Sequence, residues 1–476
     1  LVSFQPMSRL TPIPRWTVPR LPSLLRGCSI SLQPAPCRYS RPLMASAWWA
    51  RVTYSIWGMG PSCPIGRTRR LGSAIMVTRT PALVERMRPH AASIFGRMSA
   101  LAQRSEAINL GQGFPDEDGP IELQEIARAA IAEGRGNQYP PAHGLPDLRL
   151  AVAEHQRRFY GLTVDPDTEV VIGTGASEVL QSALLALCEP GDEVVVFEPW
   201  FDLYGAGIAL AGATRVSVPL RPPSYRPDID ALADAITPRT RVLLLNTPHN
   251  PTGVVFTREE LQAIAEIAIE RDLIVLSDEA YEHLWFDGHP HIPISTLPGM
   301  FKRTISVGSG GKSFSFTGWK VGWGSGPRDL IAAVRVVRQH LSYVSGGPFQ
   351  YAIAAGLRLS DEYFDGLRAQ MQAKRDLLTN GLRSLGFAVT ESQGTYFATS
   401  DLGPFVRIDD RQVDGVEVCD WLPEHVGVAA IPIQVFCDDP DLGAQSIRWA
   451  FGKADDTLEE ALHRIESATA QKVVGS

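Results

Sequence analysis

From about residue 80 onward, short uninterrupted apolar runs alternate with helical stretches, and this alternation restricts the fold more than any other feature of the chain. Val194–Phe197, Val242–Leu245 and Leu273–Leu276 are apolar at every position and are bounded by Gly, Pro, Asn or Asp. A run that is apolar throughout, rather than at every second residue, reads as a strand buried on both faces. Helices between such strands supply the covering layers, so an α/β architecture with a largely parallel sheet is expected. The last third changes character. A helical stretch (361–385) is followed by short strand-like segments, GFAVT, GTYFAT, VGVAAIPI and SIRWAF, as in a smaller α+β unit.

Ligands of such sheets gather at the carboxyl ends of the strands. The polar residues at those ends are Gly175–Ser177, Asn250, Asp278, Tyr281 and Ser309–Lys312. Among them the lysine is the most informative. The chain has six Lys against 39 Arg, so Arg serves wherever a generic surface cation suffices. Lys312 and Lys320 lie eight residues apart in SGGKSFSFTGWK, among Gly and Ser. Two ordinary surface lysines are the plainer reading. An amine placed among small residues after a buried strand can, however, be desolvated and made available for Schiff-base chemistry, which a guanidinium cannot perform.

Composition excludes several classes. The formal net charge of −7 gives no reason to expect nucleic-acid binding. No apolar run approaches the roughly 20 residues of a membrane-spanning helix. Six Cys form neither a disulfide framework nor a paired C-x-x-C pattern, and the ten His show no metal-ligand spacing, so no metal is expected. Residues 1–75 stand apart, with ten Arg, ten of the 36 Pro and no Lys, Asp or Glu. Removing that +10 from −7 leaves 76–476 at −17. An organelle transit peptide fits the Arg content but not the Pro, Trp and Cys. A DNA-binding head would need helices that the prolines break. The reading adopted is a translated upstream leader, non-functional and disordered, with the native start near Met76 in a cytoplasmic protein.

The segment SGGKSFSFTGWKVGW (309–323) resembles the cofactor-lysine segment of fold-type I pyridoxal-phosphate aminotransferases. The similarity continues through NLGQGFPDEDGP (109–120), NQYPPAHG (137–144), NTPHNPTG (246–253), SDEAYEHL (277–284) and IRWAF (447–451), covering about 80–470 in the family's order. The resemblance implies a PLP-dependent transferase fold: a mostly parallel seven-stranded-type sheet sandwiched by helices, plus a smaller α+β domain. It implies an N-terminal arm contributing to the small domain (76–120), a large cofactor-binding domain (121–365) and a C-terminal small domain (366–470).

The resemblance also assigns roles. Lys312 would bond to the aldehyde of pyridoxal 5'-phosphate and, once released, move the proton between carbon atoms. Asp278 would pair with the pyridine nitrogen, while Tyr281 and Asn250 would hydrogen-bond the ring's 3′ oxygen. Gly175, Ala176 and Ser177, opening a helix, would hold the phosphate with Ser309 and Lys320. Tyr139 would reach the same phosphate from the other subunit, implying a homodimer with shared sites. Phe201 would stack on the ring. Arg448 would clamp the substrate α-carboxylate bidentately, and Gly113 would let its backbone approach that carboxylate.

The substrates implied are an amino acid and a 2-oxo acid. Kynurenine transaminases carry Trp where this chain has Phe95 and Tyr where it has Ser177. HLSYVSGGPFQ (340–350) and QGFPDEDGP look closer to the N-succinyldiaminopimelate aminotransferases of lysine biosynthesis. The expectation is therefore N-succinyl-LL-2,6-diaminopimelate:2-oxoglutarate transfer. A broad-specificity kynurenine, glutamine or methionine transaminase with β-lyase side activity stands second, and a non-catalytic cofactor-binding regulator is a remote third.

Overall fold

The computed structural model describes residues 82–474, so the expectations for the 1–75 leader lie outside the described residues. Seven strands form one sheet: β1 (Val170–Thr174), β2 (Glu193–Glu198), β3 (Thr214–Pro219), β4 (Thr240–Asn246), β5 (Ile274–Asp278), β6 (Thr304–Ser309) and β7 (Val321–Ser325). Their order is β1-β7-β6-β5-β4-β2-β3. The pairs β3/β2, β2/β4, β4/β5 and β5/β6 are parallel, and β7 runs antiparallel between β6 and β1.

The continuous apolar runs have the cause inferred from them. Val194, Val196, Val242, Leu244 and Leu276 point to one face, where Leu180 and Leu184 of the helix Gly175–Leu187 and Ile331 and Val334 of the helix Arg328–Leu341 cover them. Val195, Phe197, Leu243, Leu245 and Val275 point to the other, against Leu261, Ile264 and Ala268 of the helix Arg258–Glu270. Burial of each such side chain stabilises by about 1.5–3 kcal/mol, which is why no position alternates to polar.

A second, three-stranded antiparallel sheet holds β8 (Phe397–Asp401), β9 (Ile431–Pro432) and β10 (Ser446–Ala450) in the order β9-β10-β8. Its core includes Leu378 and Leu382 of the helix Asp361–Ser384, Leu458 and Ile465 of the helix Asp455–Val474, and Met98 and Leu101 of the helix Ile94–Arg104. Ile108–Asn109 pairs in parallel with Val428–Ala429 as a separate two-stranded sheet, and Ala450 N donates to the Leu110 carbonyl at 2.6 Å, which ties the segment leading to Gly113 to the three-stranded sheet.

GFAVT differs from expectation. Only Val389 forms a bridge, to Ser400, because Asp401 Oδ1 takes the Ala388 N–H at 2.8 Å and the turn begins at Gly386 with φ +91°. VGVAAIPI splits between Val428–Ala429 and Ile431–Pro432, which belong to different sheets. Among the described residues no helix is long and apolar enough to cross a membrane.

Candidate active site

The carboxyl ends of β1, β4, β5 and β6 open onto one cavity of about 340 Å³, closed on one side by Arg448 of β10 and Phe397 of β8. Every residue singled out from the sequence lines it except Tyr139. Tyr139 lies before the helix Pro146–Tyr160, is 80% exposed, and its ring meets that of Tyr343 edge-on, ring centres 5.5 Å apart.

One end of the cavity suits an anion. β1 leads directly into the helix Gly175–Leu187, whose first turn presents Gly175, Ala176 and Ser177. Free N–H groups and the positive end of the helix dipole favour a negative group there. Lys320 Nζ donates to Ser177 Oγ at 3.3 Å, and Ser309 lines the same cavity. Partial desolvation and the nearby Lys312 push the Lys320 amine down, and a dianion beside Lys320 would favour its charged form.

The middle of the cavity suits a protonated ring nitrogen. Asp278 ends β5, and its carboxylate accepts from Tyr204 Oη at 2.7 Å and from Ala280 N at 3.1 Å. Burial pushes this carboxyl up, and the two hydrogen bonds pull it partly back. Asn246 Nδ2 donates to the Asp278 carbonyl at 2.9 Å, and its Oδ1 accepts the Asn250 N–H at 2.8 Å, which fixes one loop against the other. Phe201 caps the helix Asp202–Ala211 and faces the cavity, its ring 6.4 Å from that of Phe95.

Arg448 closes the far wall. It is 1% exposed, donates from Nη1 to Asn250 Oδ1 at 2.9 Å and from Nη2 to the Gly111 carbonyl at 2.7 Å, and leaves Nε without a partner. The rings of Phe397, Phe95 and Phe436 surround it at 3.9, 5.1 and 5.6 Å. Burial pushes the guanidinium down to about 10. A buried cation with an orphaned N–H and, among the described residues, no ion pair is a receptor for an incoming carboxylate. With Asn250 Oδ1 taken, the polar atom left to Asn250 is Nδ2, a donor suited to a ring oxygen.

Lys312 Nζ donates to the Gly113 carbonyl at 3.3 Å and to Tyr396 Oη, and Tyr396 Oη donates to the same carbonyl at 2.5 Å. The expectation for Gly113 changes accordingly: its carbonyl is turned to Lys312, so an approach to a carboxylate is left to its N–H. Glycine is required there because a Cβ would lie 2.4 Å from the Phe397 ring. Sequence reasoning missed Tyr204, Asn246 and Tyr396. Tyr204 stands three residues past Phe201 on one helix, which was a usable signal. Tyr396, inside GTYFAT, reads as a core aromatic.

The sequence also gave no sign of a buried polar group behind Asp278–Tyr281. His155 Nε2 meets His283 Nε2 at 2.8 Å, and Tyr160 Oη donates to Glu282 Oε2 at 2.7 Å. These residues are far apart in the chain, so local spacing could not join them. Two imidazoles sharing a tetrahedral ion at about 2.0–2.1 Å stand about 3.3 Å apart. The closer contact is a hydrogen bond between neutral rings, and burial pushes His155 down to about 3.

With this geometry in view, similarity to known proteins bears on identity. The sequence profile for aminotransferase class I and II matches residues 105–465. The probable N-succinyldiaminopimelate aminotransferase DapC of Mycobacterium tuberculosis is 49% identical over 392 residues, 80% of this chain and 97% of that protein. The methionine aminotransferase of Escherichia coli is 40% identical over 373 residues, 78% of this chain and 95% of that one. The solved N-succinyldiaminopimelate aminotransferase of Mycobacterium tuberculosis superposes with a TM-score of 0.78 at 50% identity, covering 81% of this chain and 100% of that one. A sheet with its polar residues at the carboxyl ends, one lysine facing a buried Asp and Arg, and a family match spanning both sheets lead to one conclusion: the chain belongs to the class I and II aminotransferases.

Proposed function

We propose that the enzyme holds pyridoxal 5'-phosphate in this cavity and moves the amino group of N-succinyl-LL-2,6-diaminopimelate to 2-oxoglutarate, as a homodimer in the cytoplasm. The observation that carries the reaction type is the convergence of the Lys312 amine, the buried Asp278 carboxylate and the orphaned Arg448 N–H on one cavity. The substrate rests on the 49% identity to the mycobacterial protein of that name.

When bound, the cofactor supplies an electron sink for the pair of electrons left on the substrate's α-carbon as its proton departs. The chain's own residues do the rest. Gly175–Ser177, Ser309 and Lys320 would hold the phosphate, and Tyr139 from a partner subunit would complete that end. Asp278, oriented by Tyr204, would pair with the ring nitrogen and keep it protonated, and Phe201 would cover the ring. Tyr281 and Asn250 would donate to the ring oxygen. Arg448 orients the α-carboxylate, which fixes the Cα–H bond relative to Lys312, and the Lys312 amine takes that proton and returns it.

The test is an absorbance half-reaction on protein expressed from Met76 and loaded with cofactor. Separate additions of N-succinyl-LL-diaminopimelate, glutamate, kynurenine, glutamine and methionine are followed at the visible cofactor band, without acceptor. Fast bleaching by the succinylated substrate and glutamate is expected. Faster bleaching by methionine, glutamine or kynurenine would move the enzyme to the broad-specificity group, to which the 40% identical methionine aminotransferase gives some weight. A loaded protein that bleaches with none would remove catalysis.

A further inference from the structure

Tyr396 stands behind Lys312 rather than on the cavity wall, and we propose that it is the positioning residue for the Lys312 amine. The inference rests on the cofactor-dependent reading above and adds to it. A neutral primary amine has two N–H donors and one lone pair. Lys312 Nζ donates here to Tyr396 Oη and to the Gly113 carbonyl, and when the amine acts as a base, and so is neutral, these two acceptors take both of its donors. The lone pair is then left facing the cavity, where a general base needs it. The phenol oxygen can accept from the amine because its own proton goes to the Gly113 carbonyl, at 2.5 Å.

The ring that carries this hydroxyl is fixed. Tyr396 is 1% exposed, packs edge-on against Tyr281 at 5.2 Å and lies 4.8 Å from Phe397. Its backbone carbonyl accepts from Phe451 N at 2.9 Å. It directly precedes β8, which pairs with the Arg448 strand through Thr399. Gly113 comes from the N-terminal segment and Lys312 from the short helix Gly310–Ser313 that follows β6. Tyr396 therefore sets the base relative to the strand that carries the carboxylate clamp. A residue in this place governs how well the amine meets the Cα–H bond, and so acts on the proton-transfer rate rather than on substrate affinity.

The experiment compares cofactor-loaded wild type with Tyr396→Phe, which keeps the ring and removes one oxygen. Three quantities are read: cofactor attachment to Lys312 by reduction and mass spectrometry, the maximal rate and KM of bleaching by glutamate, and the isotope effect with α-deuterated glutamate. The expected result is attachment retained, KM within about threefold, a maximal rate lower by roughly 10- to 100-fold, and a larger isotope effect. A maximal rate within about twofold of wild type with an unchanged isotope effect would overturn the proposal. Loss of attachment in the variant alone would also overturn it, by making Tyr396 part of the cofactor cradle. A wild type that takes up no cofactor would instead refute the functional reading and this inference together.

Discussion

Replacing Arg448 with methionine separates a ligand-binding arginine from a structural one. The charged side chain is buried among three aromatic rings, and burial holds its guanidinium at about 10 against the ordinary 12.5. That difference corresponds to about 3 kcal/mol of penalty on the charge. The charge is present in the folded and unfolded chain at every pH below about 10, so the penalty is constant across the neutral range and fades only as the pH rises towards the unfolded value. Against it stand two hydrogen bonds, to Asn250 and Gly111, each worth about 1 kcal/mol, and ring contacts worth about 2. The terms cancel to within about 2 kcal/mol, so the substitution is close to neutral for the cofactor-free protein. A structural arginine ion-paired with a buried carboxylate would cost about 3–5 kcal/mol. Loss of a desolvated carboxylate contact costs about 3 kcal/mol, or about 100-fold in KM. Denaturant unfolding of the cofactor-free variant and glutamate kinetics of the loaded one give the two numbers. Stability lowered by more than about 3 kcal/mol with KM unmoved would refute the assignment.

Two further outcomes follow from the other walls of the cavity. Tyr204→Phe removes a donor from the Asp278 carboxylate, which burial already pushes up, so the carboxyl takes its proton at a still higher pH. The acid limb of the half-reaction should move to higher pH, and an unmoved limb would detach Tyr204 from the chemistry. Gly322→Ala places a Cβ 2.3 Å from Ala176 N and 2.6 Å from the Gly175 carbonyl carbon, so β7 or the start of the phosphate-facing helix must shift. A stability loss of about 1–3 kcal/mol with at least about tenfold weaker cofactor binding is expected by thermal unfolding and cofactor titration. Unchanged affinity would show that the helix start does not hold the phosphate.

Much of the architecture was legible because its cause is local. An apolar run such as Val242–Leu245 shows that both faces are buried, and a motif such as SDEAYEHL carries its strand end with it. What stayed hidden depends on chain topology. Tyr204 meets Asp278 across 74 positions and Tyr396 meets Lys312 across 84, and each tyrosine sits in a segment that reads as apolar. A buried tyrosine still needs a partner for its hydroxyl, but the sequence does not say which. Gly113 shows the converse: its smallness was legible, but that a Cβ there would meet the Phe397 ring was not.

The lysines show how far scarcity alone can be pressed. The contrast of six Lys with 39 Arg marked lysine as a residue kept for special places. Lys374 and Lys453, which the sequence did not single out, are both 3% exposed. Lys374 pairs with Glu117 at 2.9 Å and Asp455 at 3.4 Å, and Lys453 pairs with Asp116 at 3.0 Å. Scarcity therefore marked burial as much as chemistry. The partner makes the distinction. Lys374 and Lys453 are committed to carboxylates and pin the acidic DED stretch beside the cavity. Lys312 meets a phenol and a carbonyl, both neutral, in a cavity shared with Asp278 and Arg448. An amine held by neutral acceptors is oriented without being tied up in an ion pair, and that is the condition a lysine must meet to bond to an aldehyde and then to carry a proton.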